Sequence, residues 1–285
     1  MRFSFLTIAA ALIVACVQGM TAHAAEVTAS SVPSADGIPI AYESLGEGAT
    51  TLIFVHGWSG DRSYWKSQQA EFARDFKVVL IDLGGHGESG IERKAWTIDS
   101  FGNDVVAVVK KLDLDDVILI GHSMGADVTA AAAQKMPVRV RGLIWVDAYK
   151  QLRTPRTAEQ RQKMLEPFRT NFAEATRTLV RSLFPPTANA ELVERVALDM
   201  SSAPPAVALP SMESSLSNDQ KILKILQDLD LPVVAINSEQ PPTDVPSLKR
   251  YGIKVVLMPG VGHFPMMEDP SRFNAVLRNA IDDIR

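Results

Sequence analysis

Gly121-His122-Ser123-Met124-Gly125 sets a serine between two glycines, directly after an apolar run and directly before an alanine-rich stretch. A serine hydroxyl is a weak nucleophile until a base takes its proton, and a sharp strand-to-helix bend exposes it to such a base. The glycines remove side chains where strand and helix crowd together. The helix behind the bend turns its positive end toward the same point and favours negative charge there. His56-Gly57-Trp58 ends an earlier apolar run. The Trp58 N–H, together with the Met124 N–H, could form an oxyanion hole, while the Trp58 side chain also reads as a packing aromatic. Pro259-Gly260-Val261-Gly262-His263 carries an imidazole on a glycine-flanked loop. Such a base can take the Ser123 proton and return it to a leaving group. Of the other histidines, His56 reads as shaping its loop, His86 sits in a glycine-rich turn, and His122 is expected to point away.

A third member must orient the imidazole and stabilise its charged form. In chain order it belongs between Ser123 and His263. Asp147 ends an apolar run, Glu239 stands two residues past a later one, and Asp244 stands further along. After that later run the chain reads Asn237-Ser238-Glu239-Gln240 rather than Gly-x-x-Asp. Asp147 and Glu239 have near-equal claims, Asp244 a lesser one, and Asp147 also reads as a structural carboxylate capping its loop.

The elements that must position these residues alternate. Residues 51–56, 77–82, 117–121, 140–146, 232–237 and 254–258 are short apolar runs typical of strands buried on both faces. Between them, 63–76, 98–112 and 123–136 carry helical spacing, and a last helix opens at Asp269-Pro270. Asp36-Gly37 between short runs reads as a hairpin turn joining two strands, the second over 38–43, although 25–35 otherwise looks like a flexible leader. This order demands a mostly parallel sheet with helices on both faces. Residues 149–228 break the alternation with helical segments interrupted at Pro185-Pro186 and Pro204-Pro205. They read as a helical cap over the carboxyl edge of the sheet, where open α/β folds bind ligands. The domain plan is thus 1–24 leader, 25–148 core, 149–228 cap and 229–285 core.

The chain has 285 residues, 46% of them hydrophobic, and a net charge of -4. No Lys/Arg block suggests a nucleic-acid partner. Arg2 and the apolar run 3–17 read as a signal peptide, with Ala22-His23-Ala24 as the cleavage site and export to the periplasm or medium. A lipobox-like Ile13-Val14-Ala15-Cys16 offers the alternative of a lipid anchor on Cys16. Neither reading leaves a stable membrane span after processing. No metal cluster, phosphate loop or dinucleotide fingerprint is present, so no cofactor is expected.

Together with Asp82-Leu83-Gly84-Gly85-His86-Gly87-Glu88-Ser89, these motifs resemble the α/β-hydrolase superfamily over residues 36–285. The last motif looks like the turn of its epoxide-hydrolase, haloperoxidase and lyase-like branch. The resemblance implies a structural role for Asp82. Dehalogenases and epoxide hydrolases of that branch use a carboxylate at the elbow, which Ser123 replaces. The expectation is a serine hydrolase acting on a small apolar ester- or lactone-like substrate. Carbon–carbon hydrolysis, perhydrolysis and a sensor with little turnover are the alternatives. In the cap, Leu165, Phe168, Phe172, Leu183, Phe184, Met200 and Met212 suggest an apolar pocket or simple packing.

Overall fold

The computed structural model describes residues 27–152 and 155–285. The expected signal peptide and Cys16 lie outside them. Eight strands form one sheet: β1 (Thr28–Pro33), β2 (Pro39–Leu45), β3 (Thr51–Val55), β4 (Lys77–Ile81), β5 (Val117–His122), β6 (Val140–Val146), β7 (Val233–Ser238) and β8 (Lys254–Met258). Their spatial order is β1-β2-β4-β3-β5-β6-β7-β8. β1 pairs antiparallel with β2, β2 pairs antiparallel with β4, and the remaining pairs are parallel. Every residue of β3, β5 and β7 is buried. That burial explains why these strands read as unbroken apolar runs, without the alternation of a half-wet sheet.

Core helices α1 (Lys66–Phe72), α2 (Ile98–Lys111) and α3 (Met124–Lys135) follow β3, β4 and β5. Between β6 and β7 lie α4 (Ala158–Thr170), α5 (Phe172–Ser182), α6 (Ala190–Ser201), α7 (Pro205–Leu216) and α8 (Asp219–Asp228). Short helices α9 (Val245–Lys249) and α10 (Pro265–Glu268) and the long α11 (Pro270–Ile284) complete the chain. The packing of α8 on α3 makes α8 part of the core, so the helical insertion is α4–α7 rather than the whole of 149–228. Phe54 of β3 packs its ring on Trp65 and Phe72, and Trp65 in turn on Phe273 of α11. One rigid aromatic stack thus fixes the floor under the first βα loop.

Two local expectations change. The hairpin expected at Asp36-Gly37 forms, but its first strand lies within the stretch read as leader: residues 28–33 pair with β2 at the sheet edge. Only Val32 among them is buried, so no apolar alternation marked the strand. The helix expected over 63–76 is a 3₁₀ turn, Arg62–Trp65, followed by α1, which ends at Phe72. α9 and α10 are too short for a periodic signal. Among the described residues, no helix is long and apolar enough to cross a membrane.

Register brings the chemistry together. Val55 of β3 lies beside Gly121 of β5, His122 beside Val146 of β6, and Val146 beside Ile236 of β7. The carboxyl ends of four neighbouring strands therefore open on one edge, and the loop after β8 closes over it.

Candidate active site

Ser123 sits between β5 and α3 at φ 52° and ψ −118°, a conformation an ordinary side chain rarely adopts. The neighbours show why glycine frames it. A Cβ on Gly121 would lie 2.3 Å from the Gly125 carbonyl oxygen, and one on Gly125 would lie 2.6 Å from the Val55 carbonyl oxygen. The Ser123 N–H donates to the Val146 carbonyl at 3.0 Å and ties the bend to the end of β6.

His263 reaches this edge on the loop between β8 and α10. Its Nδ1 lies 2.7 Å from Asp147 Oδ2, so Nδ1 carries the hydrogen and Nε2 is left to act as base. The other Asp147 oxygen, Oδ1, accepts from the Ser238 N–H at 2.6 Å and from Lys150 Nζ at 2.6 Å. Burial alone would raise the Asp147 carboxyl. The hydrogen bond and charge of His263, and then those of Lys150, outweigh burial and hold the group well below the usual carboxylate range.

The carboxylate that bonds His263 is thus Asp147. Glu239, with a near-equal claim by sequence, is exposed just beyond β7. Asp244 caps α9, where its Oδ1 accepts from the Ser247 N–H at 3.1 Å. The backbone separates these candidates. Asp147 holds a left-handed φ of 45°, and its N–H donates to the Ile236 carbonyl at 2.8 Å, which aims the side chain across the strand ends.

Several supporting groups carried no readable signal. His122, expected to point away, lies under the site with its ring centroid 4.7 Å from that of His263. Its Nε2–H donates to the His263 carbonyl at 2.8 Å. Burial and the neighbouring His263 press it down to about 3, so it is a neutral prop. Glu268 of α10 accepts from the Gly262 and Phe264 N–H groups at 2.8 and 2.9 Å, clamping the loop on both sides of His263. The His263 N–H donates to the Leu183 carbonyl of the insertion at 2.9 Å. A Cβ on Gly262 would lie 2.3 Å from that same oxygen, so the loop approaches the cap only because this residue has no side chain. The one signal available was the glycine before His263.

Ser123, His263, Trp58 and Met124 all line one cavity of about 170 Å³. Leu179, Leu183, Met200 and Met212 of the insertion supply its apolar wall. Phe168 and Phe172 instead pack edge-on against Trp58, at centroid distances of 5.7 and 5.9 Å. The Trp58 indole N–H donates to the Ala208 carbonyl of α7 at 2.7 Å. Further from the cavity, Asp82 accepts from the Arg62 and Glu88 N–H groups at 2.8 Å each and is ion-paired with the Arg62 guanidinium. It braces the glycine-rich turn. Among the described residues, no group of three or more His, Cys, Asp or Glu side chains could hold a metal ion.

The fold and this site define a class. A family model described as alpha/beta hydrolase fold matches residues 50–229, and the chain belongs to that family. Its structure superposes on a thermophilic esterase from Thermogutta terrifontis with a TM-score of 0.77 and 27% identity, covering 90% of this chain and 99% of the esterase. Over 102 residues it is 37% identical to a dihydrolipoyllysine-residue acetyltransferase component of the acetoin cleaving system from Pseudomonas putida, covering 36% of this chain and 28% of that protein. It is also 34% identical over 91 residues to the non-heme chloroperoxidase CPO-A1 of Kitasatospora aureofaciens, covering 32% of this chain and 33% of that one. The chain thus matches about a third or less of the length of these two curated relatives.

Proposed function

We propose that the protein is a serine hydrolase that cleaves an ester- or lactone-like acyl bond in a small apolar substrate. The observation that carries this reading is the 2.7 Å His263–Asp147 bond, with His263 and the strained Ser123 on one cavity. Ser123 Oγ attacks the carbonyl carbon while His263 Nε2 takes its proton. The carbonyl oxygen becomes an oxyanion that accepts from the Trp58 and Met124 N–H groups. His263 then protonates the departing alcohol oxygen, and the acyl group stays on Ser123. Water, deprotonated by the same imidazole, releases the acid and restores the serine. Asp147 remains ionised throughout and stabilises the imidazolium.

The cavity supports an apolar acyl half. Among the described residues, no Asp, Glu, Lys or Arg side chain lines it. At about 170 Å³ it is slightly larger than the apolar cavity of about 150 Å³ that holds a benzene molecule. Likeness to the Thermogutta terrifontis esterase agrees with this chemistry. Hydrolysis of p-nitrophenyl esters from acetate to hexanoate tests it. The wild type is expected to turn these over, and Ser123→Ala, with an unchanged circular dichroism spectrum, to lose at least about 10³-fold in kcat. Turnover retained by Ser123→Ala rejects the reading.

A further inference from the structure

Lys150 is a nearly buried cation outside the Ser123–His263–Asp147 set. Its side chain is 15% exposed, and its Nζ lies 2.6 Å from Asp147 Oδ1. The same Nζ donates to the Ser238 carbonyl at 2.5 Å and to Ser238 Oγ at 2.8 Å. Ser238 Oγ gives its own hydrogen to the Gln240 carbonyl at 3.0 Å, which leaves its lone pairs free to accept. Three acceptors thus surround Nζ, matching the three donors of an ammonium group. The turn that carries Lys150 is strained, since Asp147 and Tyr149 both hold left-handed φ angles of 45° and 48°. The Lys150 carbonyl accepts from the Asp244 N–H at 2.7 Å, so both the backbone and the head of this residue are pinned.

Asp147 therefore lies between two nitrogen groups, His263 on one oxygen and Lys150 on the other. From these contacts we propose that Lys150 is a positioning residue whose fixed positive charge sets how strongly Asp147 favours the imidazolium form of His263, and so sets the acid limit of activity. The inference rests on the serine-hydrolase reading. The physical logic has a definite sign. A carboxylate beside an imidazole favours its protonation. An ammonium on the same carboxylate opposes it, leaving the imidazole neutral, and able to act as base, at lower pH. The other titratable groups facing His263 are His122 from the end of β5, held neutral by burial, and Glu268 from α10, a carboxylate already accepting two backbone N–H groups. From the insertion, the uncharged Leu183 carbonyl accepts from the His263 N–H.

The test is kcat/KM for p-nitrophenyl butanoate across about pH 4.5 to 9 in wild type, Lys150→Met, Lys150→Gln and Lys150→Arg. Both neutral variants are expected to move the acid limb up by about one pH unit, about a tenfold loss at a pH on that limb, with a smaller change on the plateau. Lys150→Arg is expected to restore the wild-type limb. Lys150→Gln keeps hydrogen-bond donors toward Asp147 and Ser238, which guards against loss of the turn. If a variant folds poorly, the rate at which a phosphonate labels Ser123, taken per labelled site, gives the same pH profile from the folded fraction alone. A uniform loss with an unmoved limb, or an arginine variant whose limb moves like the neutral ones, overturns the inference and makes Lys150 a strut only. These results are separable from failure of the hydrolase reading, which Ser123→Ala alone decides.

Discussion

At the residue scale, the placement of Ser123 in a tight bend and of His263 on the same cavity was legible, the first from its framing glycines and the second from the glycine-flanked loop after the last strand. A serine framed by Gly121 and Gly125 must occupy a bend too tight for side chains, and the 2.3 Å approach of a Gly121 Cβ to the Gly125 oxygen shows why. The carboxylate that bonds His263 was not legible, because its identity depends on which of two neighbouring strand ends points at the histidine loop. A backbone turn at Asp147 decides that, and no residue type announces it. Asp147→Asn tests the outcome. With the amide in place, the wrong tautomer of His263 is favoured, and kcat is expected to fall by about 10⁴-fold with a smaller change in KM. Glu239→Gln, at an exposed position, is expected to leave both parameters within about twofold. Equal losses in the two variants count against the assignment of Asp147.

At the scale of elements, the apolar strands and amphipathic core helices could be read from the chain, while the fastening of the insertion could not. Its period is helical, but nothing in that period states what it grips. The structure shows hydrogen bonds from core loops to the insertion close around the site. The Trp58 indole bonds the Ala208 carbonyl, the Tyr64 hydroxyl bonds Asp199 Oδ2 at 2.6 Å, and the His263 N–H bonds the Leu183 carbonyl. Behind the elbow, buried Asp127 of α3 accepts from Ser215 Oγ of α7 at 2.7 Å and from Asn218 Nδ2 at 2.6 Å. The insertion therefore helps fix the loop that supplies the Trp58 N–H. Trp58→Phe keeps an aromatic ring between Phe168 and Phe172 but leaves the Ala208 carbonyl without this donor. Stability is expected to fall by about 1–3 kcal/mol in urea unfolding. In ester hydrolysis, kcat is expected to fall several-fold, more than the effect on KM, because the loop that carries the proposed oxyanion donor loses its anchor. An unchanged kcat would show that the loop holds its position without the insertion.

At the scale of the whole molecule, the same sheet edge that assembles the site buries three histidines in forms that exclude a proton. His56 Nδ1 donates to the Gly57 carbonyl at 2.8 Å while its Nε2 accepts from the Leu83 N–H at 3.0 Å, so a second ring proton would point at another hydrogen. His122 Nδ1 and His86 Nε2 are buried without partners. Burial lowers all three, His86 and His122 to about 3. In the unfolded chain each titrates near 6.5. Between those values the unfolded state binds more protons, so stability is fully present above about pH 6.5 and is lost as pH falls toward 3. Each such histidine contributes a slope of about 1.4 kcal/mol per pH unit in that window. Asp82, Asp104 and Asp127, raised mainly by burial, act in the opposite sense and flatten the total. The clean measurement is therefore a difference. Urea unfolding of wild type and His86→Gln at about pH 7 and pH 5 should show the variant losing less stability over the interval, by about 2 kcal/mol, whatever its absolute stability. Parallel losses in the two proteins would mean that His86 is charged inside the fold. His86 would then not belong to the neutral histidines beneath the site.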